Sequence, residues 1–220
     1  TRPDIQFPVA FLTTRVREPD IDEWKKLGRC LCYLKGSMEL DLTLETALQM
    51  IIRWWIDSAY GVHPDCKSHT GGAMSLGKGC PINNSRKQRI NTRSSTEAEL
   101  VGVNDNMPMV LWTKLFLEAQ GIEVTDNIIY QDNKSTMLLE KNGRQSSGKK
   151  TRHFDIRYYF IHDHIKRGTV RVEYCPTDLM VGDFHTKPLQ GSAFRRFRAL
   201  ILNLPHDPLL DPMTDSQECV

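Results

Sequence analysis

Along the first third of the chain the apolar positions change period. Ile21, Trp24, Leu27, Leu31 and Leu34 recur at three- and four-residue spacing, the period of a helix with one apolar face. Gly36 stands where a C-terminal cap belongs, so an amphipathic helix is predicted over residues 20–35. Over residues 40–44 apolar and polar side chains alternate instead, as in a half-buried strand. Extended character continues through residues 51–60, where Trp54, Trp55 and Ile56 are consecutive, and this is the first strand of the expected core.

Residues 72–76 and 82–88 read as two further strands joined across Gly77-Lys78-Gly79, whose glycines suit a tight turn. From Thr96 the period switches to helical, with Leu100, Val103, Met107, Leu111 and Leu115 on one stripe and Gly121 past its end. Pro108 is predicted to kink or divide that helix. A short apolar strand at 127–130 leads directly into a helix at 133–140, and a polar loop follows at 143–148. A helix over 152–166, an alternating strand at 169–174 and a last helix over 179–186 complete the pattern. Three strands, helix, strand, helices, strand, helix is an α/β order, without an internal repeat.

The 220 residues, 40% of them hydrophobic, suffice for one sizeable core with chain left over for flanking elements. A charged fraction of 25% and a mean hydropathy of −0.43 describe an ordinary soluble protein. No apolar run approaches the length of a membrane span, so no membrane partner is expected. Residues 1–12 carry Arg2 as their single cation and no secretory pattern, and they read as an internal cut in a longer polypeptide. Cys30, Cys32, Cys66, Cys80, Cys175 and Cys219 lack zinc-site spacing. Reduced thiols in an intracellular compartment are therefore the expectation.

The net charge of +2 matters less than its distribution. Arg86, Lys87, Arg89 and Arg93 lie in a segment without acids, and Lys141, Arg144, Lys149, Lys150, Arg152 and Arg157 are offset only by Asp155. Either cluster suits phosphates, although a short charge run is usually a solvated face. Beyond Asn203 the sign reverses: Asp207, Asp211, Asp215 and Glu218 meet no cation, and Pro205, Pro208 and Pro212 interrupt the stretch. A disordered acidic tail is predicted there.

Four acids fall at telling points: Asp57 inside the first core strand, Glu99 near a helix start, Asp132 at a strand end, and Asp183 on the last helix. An acid within so apolar a strand is costly unless its charge is compensated, and a divalent cation would do so. The competing reading of Asp57 is a buried carboxylate bonded to backbone amides. Phosphodiester hydrolysis is well served by two cations about 4 Å apart held by oxygen ligands, which makes two Mg2+, with Mn2+ as substitute, the expected cofactor. Glu97 and Glu99 both fit a capping box, after Ser94 and Thr96 respectively. With Ser94 as cap, Glu97 closes the box and Glu99 is left to point at a site. Asp132 fits equally well as the cap of the following helix, and Asp183 alone would read as a solvated helix acid.

The stretches Trp55-Ile56-Asp57-Ser58-Ala59-Tyr60, Ser94-Ser95-Thr96-Glu97-Ala98-Glu99-Leu100, Tyr130-Gln131-Asp132-Asn133, Thr151-Arg152-His153-Phe154-Asp155-Ile156-Arg157-Tyr158 and Asp183-Phe184-His185-Thr186-Lys187-Pro188-Leu189 occur in this order. Together they resemble the copia-type retrotransposon polyprotein, in which a ribonuclease H domain follows the reverse transcriptase. Arg2-Pro3-Asp4-Ile5 and the helix from Trp24 to Gly36 resemble the end of that family's polymerase. The resemblance implies three parts: residues 1–48 as the end of the polymerase region, 49–189 as the ribonuclease H domain, and 190–220 as a C-terminal helix with the acidic tail. It implies a ribonuclease H-like five-stranded mixed sheet flanked by helices, with an N-terminal helical extension.

It also implies Asp57, Glu99, Asp132 and Asp183 as metal ligands and catalytic residues, and cleavage of the RNA strand of RNA/DNA hybrids to 5′ phosphate and 3′ hydroxyl ends. The upstream polymerase part is the implied partner and a cytoplasmic virus-like particle the implied location. Ser95, Gln131 and Asn133 are placed to read a 2′-hydroxyl, and Lys150, Arg152 and His153 to hold the backbone of the substrate. Two departures stand out. The loop Cys175-Pro176-Thr177-Asp178 lacks the histidine that cellular ribonucleases H carry there, and His185 takes a usually apolar position beside Asp183. The polymerase's paired aspartates are absent, so polymerisation is not expected. Alternatives are a degenerate domain that binds hybrid without cutting, and an integrase-type core using Asp57, Asp132 and Glu173.

Overall fold

The computed structural model describes residues 2–142 and 155–205. Lys150, Arg152 and His153, the polar loop at 143–148, the start of the helix expected at 152, and the acidic tail from Asp207 lie outside the described residues. In chain order the helices are α1 (Gln6–Thr13), α2 (Ile21–Lys35), α3 (Ser95–Ala119), α4 (Lys134–Asn142), α5 (Asp155–Lys166) and α6 (Gly191–Leu202). The strands are β1 (Glu45–Thr46), β2 (Ile51–Ala59), β3 (His69–Ser75), β4 (Gly77–Lys78), β5 (Ile82–Lys87), β6 (Asp126–Gln131) and β7 (Arg171–Tyr174).

Five strands form one mixed sheet in the order β5-β3-β2-β6-β7. The pairs β2/β3 and β3/β5 are antiparallel, as hairpin connections allow, whereas β2/β6 and β6/β7 are parallel and need helical crossovers. α3 supplies the first crossover, and the segment containing α4 and α5 the second. This is the α/β architecture expected from the sequence, a five-stranded mixed sheet flanked by helices.

The alternation of β2 sets the two layers. Ile52, Trp54 and Ile56 are fully buried in one cluster with Leu100, Val103, Met107, Ile129, Ile161 and Val172, which belong to α3, β6, α5 and β7. Trp55 packs in a second cluster with Ala73, Phe184, Phe197 and Ile201, so the sheet carries an apolar layer on each face. A strand buried on both faces reads as a continuous apolar run, and Asp57 sits inside such a strand at 2% exposure.

Four expectations are corrected. Residues 40–44 form no strand, because Thr43 N donates to Leu202 O at the end of α6 and ties this segment outside the main sheet. Pairing begins at β1, whose partner is β4, so Gly77-Lys78 is itself a short strand and the left-handed turn falls at Gly79, φ +73°. α3 is not divided at Pro108 but continues as one helix of 25 residues. Val103, Met107, Val110 and Leu117 anchor it on both sides of the proline, which outweighs one missing hydrogen bond. The helix expected at 179–186 is instead a pair of 3-10 turns, Thr177–Leu179 and Val181–His185, bracketed by Pro176 and Pro188.

The N-terminal helices pack on the sheet domain. The Phe7 ring meets His69 edge-on at 5.4 Å and Phe11 stacks on His63 at 6.1 Å. On α2, whose start is fixed by a capping box between Asp20 and Glu23, the Tyr33 hydroxyl donates to Asp4 Oδ2 at 2.6 Å and its ring meets Phe194 edge-on. The apolar stripe of α2 faces outward, with Ile21 and Trp24 exposed.

His63, His69 and His185 are buried on this side. His63 Nε2 and His69 Nδ1 are hydrogen-bonded at 3.0 Å, and His69 Nε2 pairs with Ser85 Oγ at 2.8 Å. Burial, reinforced by His63, pushes His69 down to about 4, and burial with the His69 charge pushes His185 down to about 3. Both rings are neutral when folded but take a proton below about 6.5 when unfolded. Their contribution is therefore complete above that pH and is lost as pH falls toward 4. Urea unfolding between pH 7 and 4.5 is expected to show a shallower loss of stability in His69→Gln than in wild type. Equal slopes would remove His69 from the acid response.

Candidate metal centre

Asp57 enters from β2, Glu99 from the first turns of α3, and Asp132 from the residue just after β6. One carboxylate oxygen from each lies within 4.8 Å of the other two. Two glycines make this convergence possible. At Gly102 a Cβ would stand 2.3 Å from Ser58 Oγ, so only glycine lets α3 approach β2 closely enough for Glu99 to reach Asp57. At Gly71, paired with Asp57 across the β2/β3 ladder, a Cβ would meet His185 Cβ at 2.6 Å and Thr186 Cγ2 at 2.7 Å. Its absence lets the chain from 181 to 187 lie against the sheet beside Asp57.

Glu99 is 5% exposed and its Oε2 has no hydrogen-bond partner among the described residues. Burial drives its carboxyl well above the ordinary glutamate range, with Asp57 and Asp132 adding repulsion and a backbone bond from Ser58 opposing it. Glu97 is held differently. Its amide donates to Ser94 Oγ at 3.2 Å, and its Oε2 accepts from the Arg93 amide at 2.8 Å. Ser94 is thus the cap, and Glu97 serves the helix terminus rather than the cluster.

Asp132 does not cap α4. Asn133 Oδ1 does so, accepting from the amides of Ser135 at 3.0 Å and Thr136 at 3.2 Å. Asp132 Oδ2 accepts from the Thr177 hydroxyl at 3.0 Å, which leaves its carboxylate directed among the acids. Asp183 lies beside this group without joining the three that converge. Its Oδ1 accepts from Lys187 Nζ at 2.7 Å. Burial and the charge of Asp57 raise its carboxyl to about 7 against the pull of Lys187. Thr186 Oγ1 donates to Asp57 Oδ2, and Lys187 Nζ stands 3.8 Å from the same oxygen. Although burial disfavours its charge, Asp57 and Asp183 hold the Lys187 ammonium above the usual lysine range.

Lys187 and Thr186 carry no assigned role in the sequence pattern. The available signal for Lys187 was its spacing from Asp183, the i,i+4 relation of a helical ion pair.

The remaining candidates separate clearly. Ser95 is exposed at the first position of α3. Gln131 is fully buried and its Nε2 donates to Ile56 O at 3.1 Å. It braces β6 against β2 and cannot reach a ligand at the surface, which corrects its expected substrate role. Asn133 has its oxygen committed to the α4 cap. His185 turns away from the acids: its Nε2 pairs with Asn83 Oδ1 at 3.0 Å and its carbonyl accepts from Ser85 Oγ at 2.7 Å. Glu173, the third acid of an integrase-type set, pairs with Arg171 at 2.6 Å on β7. Arg89 and Arg93 are exposed between β5 and α3, whereas Lys87 is paired with Asp65 at 2.7 Å.

A cation fits this donor set. Three converging carboxylates, an unpartnered buried oxygen and oxygen-only ligands are what a hard divalent ion requires.

No family model matches the chain. It is 31% identical over 90% of its length to the retrovirus-related Pol polyprotein from transposon RE2 of Arabidopsis thaliana, and 32% identical over 91% to that from transposon RE1 of the same plant. The chain spans 14% of the length of each of these relatives. Among solved structures it is similar to LC11-RNase H1 in complex with RNA/DNA hybrid, at 11% identity and a TM-score of 0.43, covering 59% of this chain and 88% of that one. Its sequence, matched over nine-tenths of its length, makes the chain a member of the family of copia-type, retrovirus-related transposon Pol polyproteins.

Proposed function

We propose that the chain is a metal-dependent ribonuclease H segment that hydrolyses the RNA strand of RNA/DNA hybrids during reverse transcription of its element. The observation that carries this reading is the meeting of Asp57, Glu99 and Asp132 from three separate elements, with a buried Glu99 oxygen left without a partner among the described residues. Membership of a Pol polyprotein family supplies the biological setting.

Asp57, Glu99 and Asp132 would hold Mg2+, with Asp183 as the adjacent fourth carboxylate and Mn2+ as a substitute ion. A divalent ion bound there acidifies water and neutralises charge on the scissile phosphate. The protein's own groups do the rest. β2, α3 and β6 fix the three carboxylates on rigid elements. Ser95, exposed next to the Ser94 cap, offers a short hydroxyl suited to a ribose 2′-OH. Arg89 and Arg93, exposed on the approach to α3, suit backbone phosphates, which position the duplex without reading its sequence. The upstream polymerase part of the polyprotein would deliver the hybrid.

The test is incubation of the purified chain with an RNA/DNA hybrid, an RNA duplex and a DNA duplex, each with Mg2+ and with EDTA. Cleavage confined to the RNA strand of the hybrid and dependent on Mg2+ is expected. Hybrid binding with no cleavage in Mg2+ would replace this reading with that of a non-cutting binder. Strand joining on element-end DNA would replace it with an integrase-type activity.

A further inference from the structure

We propose that Lys187 is a resident counter-cation of the carboxylate centre, so that the resting protein takes one divalent ion and admits a second only when Lys187 gives way. The proposal rests on the metal-centre reading above and deepens it.

The geometry divides the four acids unequally. Asp57, Glu99 and Asp132 present oxygens within 4.8 Å of one another, whereas the Asp183 carboxylate is engaged by Lys187 Nζ at 2.7 Å. The same ammonium stands 3.8 Å from Asp57 Oδ2. It therefore bridges Asp57 on β2 and Asp183 on the 181–187 segment. A second divalent ion shared by Asp57 and Asp183 would need the space and charge that Lys187 occupies.

Local structure fixes the lysine there. Its amide donates to Asp183 O at 2.9 Å, a helical turn that aligns the i,i+4 side chains. Thr186, the preceding residue, donates its hydroxyl to Asp57 Oδ2, and Gly71 leaves room for the 185–186 backbone over β3. The Lys187 side chain is 39% exposed, so it can swing to solvent without unpacking the core. Compensation by this one cation is also incomplete. It reaches Asp57 and Asp183 but leaves Glu99 Oε2 without a partner among the described residues, which directs the first ion to the Asp57–Glu99–Asp132 side.

The experiment counts Mn2+ on the full chain by electron paramagnetic resonance and calorimetry, for wild type, Lys187→Gln and Lys187→Arg. One tight ion is expected for wild type and Lys187→Arg. In Lys187→Gln a second ion should bind at least about tenfold more tightly than in wild type, the order expected from removing a like charge a few Å away. One tight ion in all three, with second-site affinity unchanged in the Gln variant, overturns the role of Lys187 and leaves the metal centre standing. No Mn2+ bound by any of them overturns both. Should Lys187→Gln fail to fold, wild type decides through acetylation of Lys187 read by mass spectrometry. Reactivity must rise as the second ion enters, and unchanged reactivity overturns the proposal.

Discussion

Asp57→Asn is expected to reduce cleavage of the hybrid by about a thousandfold or more, because several kcal/mol of charge stabilisation at a metal site convert at about 1.4 kcal/mol per tenfold. The substitution keeps the size of the side chain and an acceptor for the Thr186 hydroxyl, but removes the charge around which the site is arranged. Asp57 shares the cluster with Glu99 and Asp132, accepts from Thr186, and lies 3.8 Å from Lys187. It also contributes, after burial, to the elevation of both the Glu99 and Asp183 carboxyl groups. Neutralising it should lower both titrations, Asp183 moving from about 7 toward the ordinary aspartate range. Single-turnover cleavage and carboxyl NMR titration measure the two effects on one protein. Cutting at wild-type rate in the variant would remove Asp57 from the site. An unmoved Asp183 would mean that burial alone accounts for its elevation.

The elements that bury a regular stripe were legible in the chain. β2, β3, β5, α3 and β6 fall close to their expected spans because their apolar periods are long or are bounded by glycine and capping residues. The acids were legible for a related reason: a carboxylate inside Trp54-Trp55-Ile56-Asp57 contradicts the strand around it unless an ion answers its charge. What was not legible depends on distant neighbours. Residues 40–44 alternate like a strand, yet Thr43 is tied to the end of α6, a contact 159 residues away that no local period announces. Whether Asp132 caps α4 or serves the site was open by spacing, since its side chain can accept from the first amides of a helix. It was decided by the Thr177 hydroxyl, which holds Asp132 on the side of the acids.

Gln131, expected at the substrate, and Lys187, given no role by the sequence pattern, are both placed by side-chain direction. Gln131 lies in a site-bearing motif, but the β6 register sends it under β2 to bond Ile56 O. Lys187 has no assigned role in the motif, and the 3-10 turn at 181–185 and the missing side chain at Gly71 fold it onto Asp183. Motif membership marks where a residue is in the chain, and direction along a strand or turn decides what it touches.

The two glutamates of the α3 start provide the sharpest contrast, since they are two residues apart and are expected to respond oppositely. Glu97→Gln should leave cleavage near wild type and cost about 1 kcal/mol or less of stability, as for a weakened helix terminus. Its oxygen can still accept from the Arg93 amide, the bond Glu97 makes. Glu99→Gln should abolish cleavage and yet stabilise the metal-free protein at neutral pH. The sign follows from the raised Glu99 carboxyl. Unfolded, it ionises near the ordinary glutamate value of 4.5, whereas the folded site resists ionisation until well above that. The folded state is therefore penalised increasingly as pH rises above 4.5, and the amide, which has no proton to lose, escapes the penalty. Thermal melts in EDTA should show Glu99→Gln gaining on wild type from pH 4.5 to 7. Addition of Mg2+ should then raise the melting temperature of wild type far more than that of the variant. Equal loss of cleavage in Glu97→Gln and Glu99→Gln would mean that the helix start, and not one carboxylate, is what catalysis requires.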